Sequence, residues 1–200
     1  MDKQKSKTDK SQSEKEIKEI KVVRVVNEQR YLSAVAINQL ERAKVEQDGY
    51  RFKAILPSMA FSVFSLEALC NTYGEQIFKN WAHFESTSFI GKIAMISEFL
   101  GLQPDFAIEP WQTINQMKAF RNSLAHAKPQ LVSEIHSVAK NFPNKFLPYP
   151  KPKKSILSQA TIENAERFFN VITELEIIWA HNARVRGLEI KMTGLEYHEL

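Results

Sequence analysis

The amino-acid sequence predicts an all-α protein, a bundle of about five helices with a long Pro/Lys-rich loop before the last one. Three observations lead there. Apolar residues recur at helical spacing in successive stretches, separated by Gly, Pro or Asp punctuation. No stretch alternates apolar and polar residues with the period of a strand. No internal repeat is visible, and 200 residues suit one domain with a proper core rather than a stack of equivalent units.

Residues 1–13, MDKQKSKTDKSQS, are lysine-rich, polar and without aromatics. Burial cannot offset the entropy of ordering such a segment, so it reads as a disordered basic tail. Residues 14–46 are rich in helix formers and place Val22, Val25, Val26, Leu32, Val35, Ala36 and Leu40 at helical spacing. They predict one long helix, open to a break near Asn27 and ended by Asp48-Gly49-Tyr50. A second helix spans Phe52 to Lys79. A third, FIGKIAMISEFLG, ends with Gly101 as its C-terminal cap. The fourth, EPWQTINQMKAFRNSLAHA, opens with Pro110 and must stop before Lys128, because the residue ahead of Pro129 is pushed out of helical geometry. Pro143, Pro148, Pro150 and Pro152 then mark a long irregular connection with room for a short helical turn, and loops of that length are usually functional or mobile. The last helix starts near Ser158 as N-cap and carries Ile162, Phe168, Phe169, Ile172, Leu175 and Trp179 to about Ala183. Residues 14–184 thus form one helical domain, and residues 185–200 a weakly patterned tail.

Bulk properties narrow the function classes. A net charge of +4 suits an anionic partner such as nucleic acid without requiring one. The single cysteine, Cys70, excludes an internal disulfide and a multi-cysteine zinc site, and fits a reducing cytoplasm. No apolar core follows the first lysines, so no secretory signal is expected. The most apolar run, AILPSMAFSVFSLEALC, is interrupted by Pro57 and Glu67 and falls short of the ~20 residues a membrane span needs. His83, His136, His181 and His198 show no metal-ligand spacing, and no glycine loop of the phosphate-cradling kind is present. Neither a metal nor a cofactor is expected. Cys70 reads as a small core residue.

The fourth helix breaks its own pattern. With Ile114 at zero on a wheel of roughly 100° per residue, Met117, Phe120, Leu124 and Ala125 fall in one apolar arc. Arg121 falls inside it, where an unpaired guanidinium is costly. Asn115, Asn122 and His126 line the adjoining flank. The second helix supplies the counterpart: Glu67 and Asn71 stand one turn apart among Ile55, Leu56, Met59, Val63, Leu66 and Leu69. A buried carboxylate wants a cation, and Arg121 is the best candidate; a purely structural ion pair explains both anomalies equally well.

These residues carry a resemblance. RNSLAH, with Arg121, Asn122 and His126, resembles the signature of the HEPN domains (higher eukaryotes and prokaryotes nucleotide-binding): an arginine, a polar residue, and a histidine after four to six intervening positions, here at the short end. FSLEALCNTYG is similar to the second helix of such domains, where an acidic or polar residue supports the arginine; Glu67 and Asn71 take that place. The likeness spans roughly Phe52 to Arg184, and the Pro/Lys-rich loop is an elaboration that short members lack.

The resemblance implies a metal-independent ribonuclease or an inactive relative, often within toxin-antitoxin or phage-defence systems. RNA brings its own nucleophile, the 2′-hydroxyl, so cleavage needs proton transfer and stabilisation of a charged phosphorane. A histidine can do the first and an arginine fork the second. His126 near a helix C-terminus has its cationic form favoured by the dipole, which suits a proton donor. Asn122 would orient the histidine or the phosphate. One chain offers one such histidine, so a homodimer facing two motifs across a cleft is the implied active form. Lys128, Lys140 and Lys145 are candidates for holding an RNA backbone, with Lys151, Lys153 and Lys154 beyond them. Two alternatives remain open: a catalytically inactive interaction or nucleotide-binding module, and a basic helical nucleic-acid binder unrelated to the family.

Overall fold

Asn27 decides where the first helix begins. Its backbone is extended and its side chain accepts a hydrogen bond from the Gln29 amide at 3.0 Å, capping helix α1 (Glu28–Val45). The structure, a computed structural model, describes residues 20–84, 86–129, 131–140, 143–148, 150, 155–192 and 194–199. The expected disordered tail and Lys151, Lys153 and Lys154 lie outside these residues. Ile20–Val25, expected as part of the first helix, is strand β1. Its partner is strand β2 (Gly194–Glu199), antiparallel, in register from Ile20 opposite Glu199 to Val25 opposite Gly194. The run of β-branched residues explains the difference: Ile20, Val22, Val23 and Val25 are stiff at χ1 and favour extended backbone. The ribbon belongs to one compact unit, residues 1–26 and 193–200; residues 27–192 form the other.

The second unit is the helical bundle. Helix α2 (Phe52–Ile77) is its centre, packed by α1, α3 (Phe89–Phe99), α4 (Trp111–Ala125) and α6 (Ile162–Val185). By length and composition alone α2 is apolar enough to cross a membrane; a core helix meets the same criterion, and its apolar positions here are the packing surface of the bundle. Small residues let α1 approach α2 closely. Ser58 donates to the Ala36 carbonyl at 2.9 Å, Ser65 to the Gln29 carbonyl at 3.2 Å, and the Ser33 and Ser65 hydroxyls meet at 2.6 Å. The buried Ser58 and Ser65 hydroxyls thus both have partners, as burial demands. Further along α2, Gly74 leaves room for the ring of Trp81, which sits in a 3-10 turn (Trp81–Phe84); a Cβ at residue 74 would collide with that ring.

Helix α3 is capped by Ser88 and ends, as expected, at Gly101, whose φ of +81° is the left-handed geometry glycine favours. Glu109 closes the start of α4: its carboxylate accepts from the Thr113 amide and hydroxyl and from Arg167 of α6. Despite partial desolvation, those hydrogen bonds hold Glu109 below the usual carboxylate range. The last helix does not begin at Ser158. That residue forms a reciprocal capping box with Ser155 around the single turn α5 (Ile156–Gln159), and Thr161 caps α6. Among the described residues the bundle is therefore five substantial helices and one short one. Between α4 and α5, residues 131–139 have no regular secondary structure, and a 3-10 turn (Asn144–Phe146) is the helical turn the loop had room for.

Candidate functional site

Helix α4 is pinned by its apolar side. Ile114, Met117 and Phe120 are completely buried, and Phe120 meets Phe168 of α6 edge-on with ring centroids 5.7 Å apart. The polar residues that follow come out at the surface: Arg121, Asn122 and His126 are all exposed. His126 is the C-cap of the helix, its backbone amide bonded to the Asn122 carbonyl at 3.0 Å.

Arg121 does reach Glu67. Its Nη2 lies 3.5 Å from the Glu67 Oε1, but the two side chains keep 44% and 26% of their surface. The expected burial of the pair is therefore overturned. The wheel placed Arg121 inside the apolar arc correctly, yet its stem lies along a small hollow lined by Ala60, Val63, Phe64, Phe120 and Leu124 while the guanidinium emerges to solvent. A pair this exposed should couple by about 0–1 kcal/mol, not the ~3–5 kcal/mol of a broken buried pair. A double-mutant cycle with Glu67→Gln and Arg121→Ala, read by denaturant unfolding, checks this. A coupling above about 2 kcal/mol would mean that the pair is far drier than its exposure indicates.

Asn71 takes no part in that contact. Its Oδ1 accepts from the Lys92 Nζ at 3.1 Å and from the Trp81 Nε1 at 3.4 Å. Lys92 itself, on α3, is only 8% exposed, with its ammonium 5.8 Å from the Trp81 ring centroid. Sequence reasoning missed Lys92. The signal was there: a lone lysine in the apolar run FIGKIAMISEF. Buried Cys70 lies within electrostatic reach of both Lys92 and Glu67, and burial pushes its thiol far up, so it stays protonated at neutral pH and is a core residue rather than a nucleophile.

The remaining candidates are dispersed. Asn115 donates to the Phe106 carbonyl at 3.3 Å. Lys128, Lys140 and Lys145 are exposed along the connection after α4, with the Lys145 ammonium 5.1 Å from the Phe146 ring centroid. Among the described residues no group of three His, Cys, Asp or Glu side chains gathers as a metal site would require. Two apolar side chains, Phe64 and Leu124, stay 43% and 39% exposed in the hollow beside Arg121.

Fold and site together define an α-helical bundle that presents an Arg-Asn-x-x-x-His motif on the surface of its fourth helix. No model of a known protein family, no curated protein and no solved structure matches the chain.

Proposed function

We propose that the chain is a HEPN-type, metal-independent endoribonuclease that acts as a homodimer in the cytoplasm. The observation that carries this reading is the exposure of Arg121, Asn122 and His126 together at the end of α4. An RNA phosphate can reach the guanidinium and the imidazole there. In the proposed reaction the 2′-hydroxyl gives its proton to the neutral imidazole of the second chain's His126 and attacks the adjacent phosphorus, and the 5′-oxygen leaves as its P–O bond breaks. Arg121 meets the charge that builds on the phosphorane oxygens, and His126 delivers the proton that the leaving oxygen takes. Asn122 orients the phosphate or the imidazole, and Lys128, Lys140 and Lys145 hold the strand.

Positions 121 and 126 are separated by roughly 140° around a helix axis, so an arginine and a histidine of one chain diverge. A two-fold dimer supplies the missing group from the partner, and the exposed Phe64 and Leu124 beside Arg121 are apolar surface suited to such a self-complementary contact. An antitoxin or defence partner fits the same reading. The test is cleavage of single-stranded RNA in EDTA, with a 2′,3′-cyclic phosphate on the product, alongside light scattering near twice 23.1 kDa. No cleavage by a dimer at any enzyme concentration would overturn the assignment.

One observation favours a second reading, a non-catalytic interaction module. Leu131 and Ile135, just beyond the motif, are fully exposed, and apolar side chains held wholly in water suit a protein partner.

A further inference from the structure

We propose that a cleft beside Tyr73 of α2, walled on one side by the chain that follows α6, binds a free α-amino acid with a large apolar side chain. The site and its ligand are independent of the ribonuclease reading.

The turn after α6 builds the cleft. Gly187, with a φ of +70°, takes the left-handed geometry that ends the helix, and the Leu188 amide returns to the Ala183 carbonyl at 2.9 Å. Residues 188–192 then run as a strap without regular secondary structure. Gln76 of α2 fixes that strap at two points: its amide donates to the Lys191 carbonyl at 3.2 Å and accepts from the Lys191 amide at 2.7 Å. Leu188, Ile190 and Met192 pack on the core and line the cleft, to which α6 contributes the small Ala180 and Ala183. The half-open space has a volume of about 470 Å³, within the range of small-molecule sites.

Tyr73 gives this wall its chemistry. The residue is only 1% exposed and its ring packs on Trp179 with centroids 5.1 Å apart, yet its hydroxyl makes no hydrogen bond among the described residues. Phenylalanine would fill the same place, and a buried hydroxyl is costly when nothing in the cleft meets it. Burial first and Glu176 second push the phenol up to about 12, with Arg184 opposing, so it remains a donor at neutral pH.

Among the described residues the charged groups lining the cleft are Arg184 and Glu189. Neither side chain forms an ion pair there, not even with the other. Glu176 does not line the cleft, and Glu75, two residues from Tyr73, lies roughly 200° around the α2 axis from it. Two opposite charges thus stand beyond ion-pair distance on one wall, with a free hydroxyl and an apolar surface between α6 and the strap. A ligand with one carboxylate and one ammonium answers both charges; a fatty acid or a simple amine leaves one unmet. The carboxylate takes Arg184 and the Tyr73 hydroxyl, the ammonium takes Glu189, and the side chain lies against Leu188, Ile190 and Met192.

Calorimetric titration of the full chain with L-phenylalanine should show saturable binding. It should be at least about tenfold tighter than that of 3-phenylpropanoate, which lacks the ammonium, or phenethylamine, which lacks the carboxylate. Arg184→Met should weaken phenylalanine binding about tenfold and leave the weak binding of phenethylamine unchanged; Glu189→Gln should do the same and spare 3-phenylpropanoate. Tyr73→Phe, which keeps the ring, should weaken binding about three- to tenfold. Ala180→Leu fills the cleft and should abolish binding, with circular dichroism reporting on the fold; where it fails to fold, Ala180→Val should weaken binding in the same direction. No saturable binding of phenylalanine, leucine or tryptophan overturns the inference. So does 3-phenylpropanoate binding as tightly as phenylalanine, or phenylalanine binding that a folded Ala180→Leu protein retains in full.

Discussion

His126→Ala should lower RNA cleavage by about 10²- to 10⁴-fold, the usual contribution of a general acid or base. The substitution should leave stability nearly unchanged, because His126 is an exposed C-cap whose helix contact is a backbone hydrogen bond that alanine also makes. Single-turnover rates in EDTA, with circular dichroism of both proteins, check the two halves together. Equal activity in the variant would remove His126 from the reaction and point to a contaminating nuclease. Mixing the His126→Ala and Arg121→Ala proteins adds the geometry: if each site combines groups from two chains, mixed dimers recover one competent site; if both groups come from one chain, mixing recovers nothing.

The second large effect is on the fold beneath the site. Phe120→Ala should cost about 3–5 kcal/mol, since the ring is completely buried and removal leaves a cavity against Phe168. In a chain of this size that corresponds to a fall of roughly 6–20 °C in Tm. Denaturant unfolding measures it directly. The neighbouring Arg121→Ala should cost under about 1 kcal/mol, because its guanidinium already lies in water. Comparable losses from both substitutions would show that α4 is seated by its polar face as much as by its apolar one.

Much of the bundle was legible because helices are local. The spacing of Ile114, Met117 and Phe120 identifies a buried stripe whatever surrounds it, and all three are buried. Gly101 ends α3 as its backbone freedom predicts, and Pro129 keeps α4 from reaching Lys128. Caps were less certain because serines and threonines compete for the role. Ser158 reads as a helix start, yet Ser155 and Thr161 hold the two caps.

What the sequence determined by itself is therefore the all-α class, the order of the long helices, the apolar stripe of α4, and Arg121 as the candidate partner of Glu67. Each depends on side-chain type and spacing along one element, or on the one obvious partner for a misplaced charge. Only the tertiary structure decided the rest. The strand at Ile20–Val25 exists through pairing with residues at the opposite end of the chain, which no local period reveals. The Arg121–Glu67 contact is a half-open pair because a long side chain can follow an apolar hollow and still deliver its charge to water. And Asn71, one turn from Glu67 on the same helix, turns instead toward Lys92 and Trp81, since a side-chain amide goes to whichever donors the packing of α3 brings within reach.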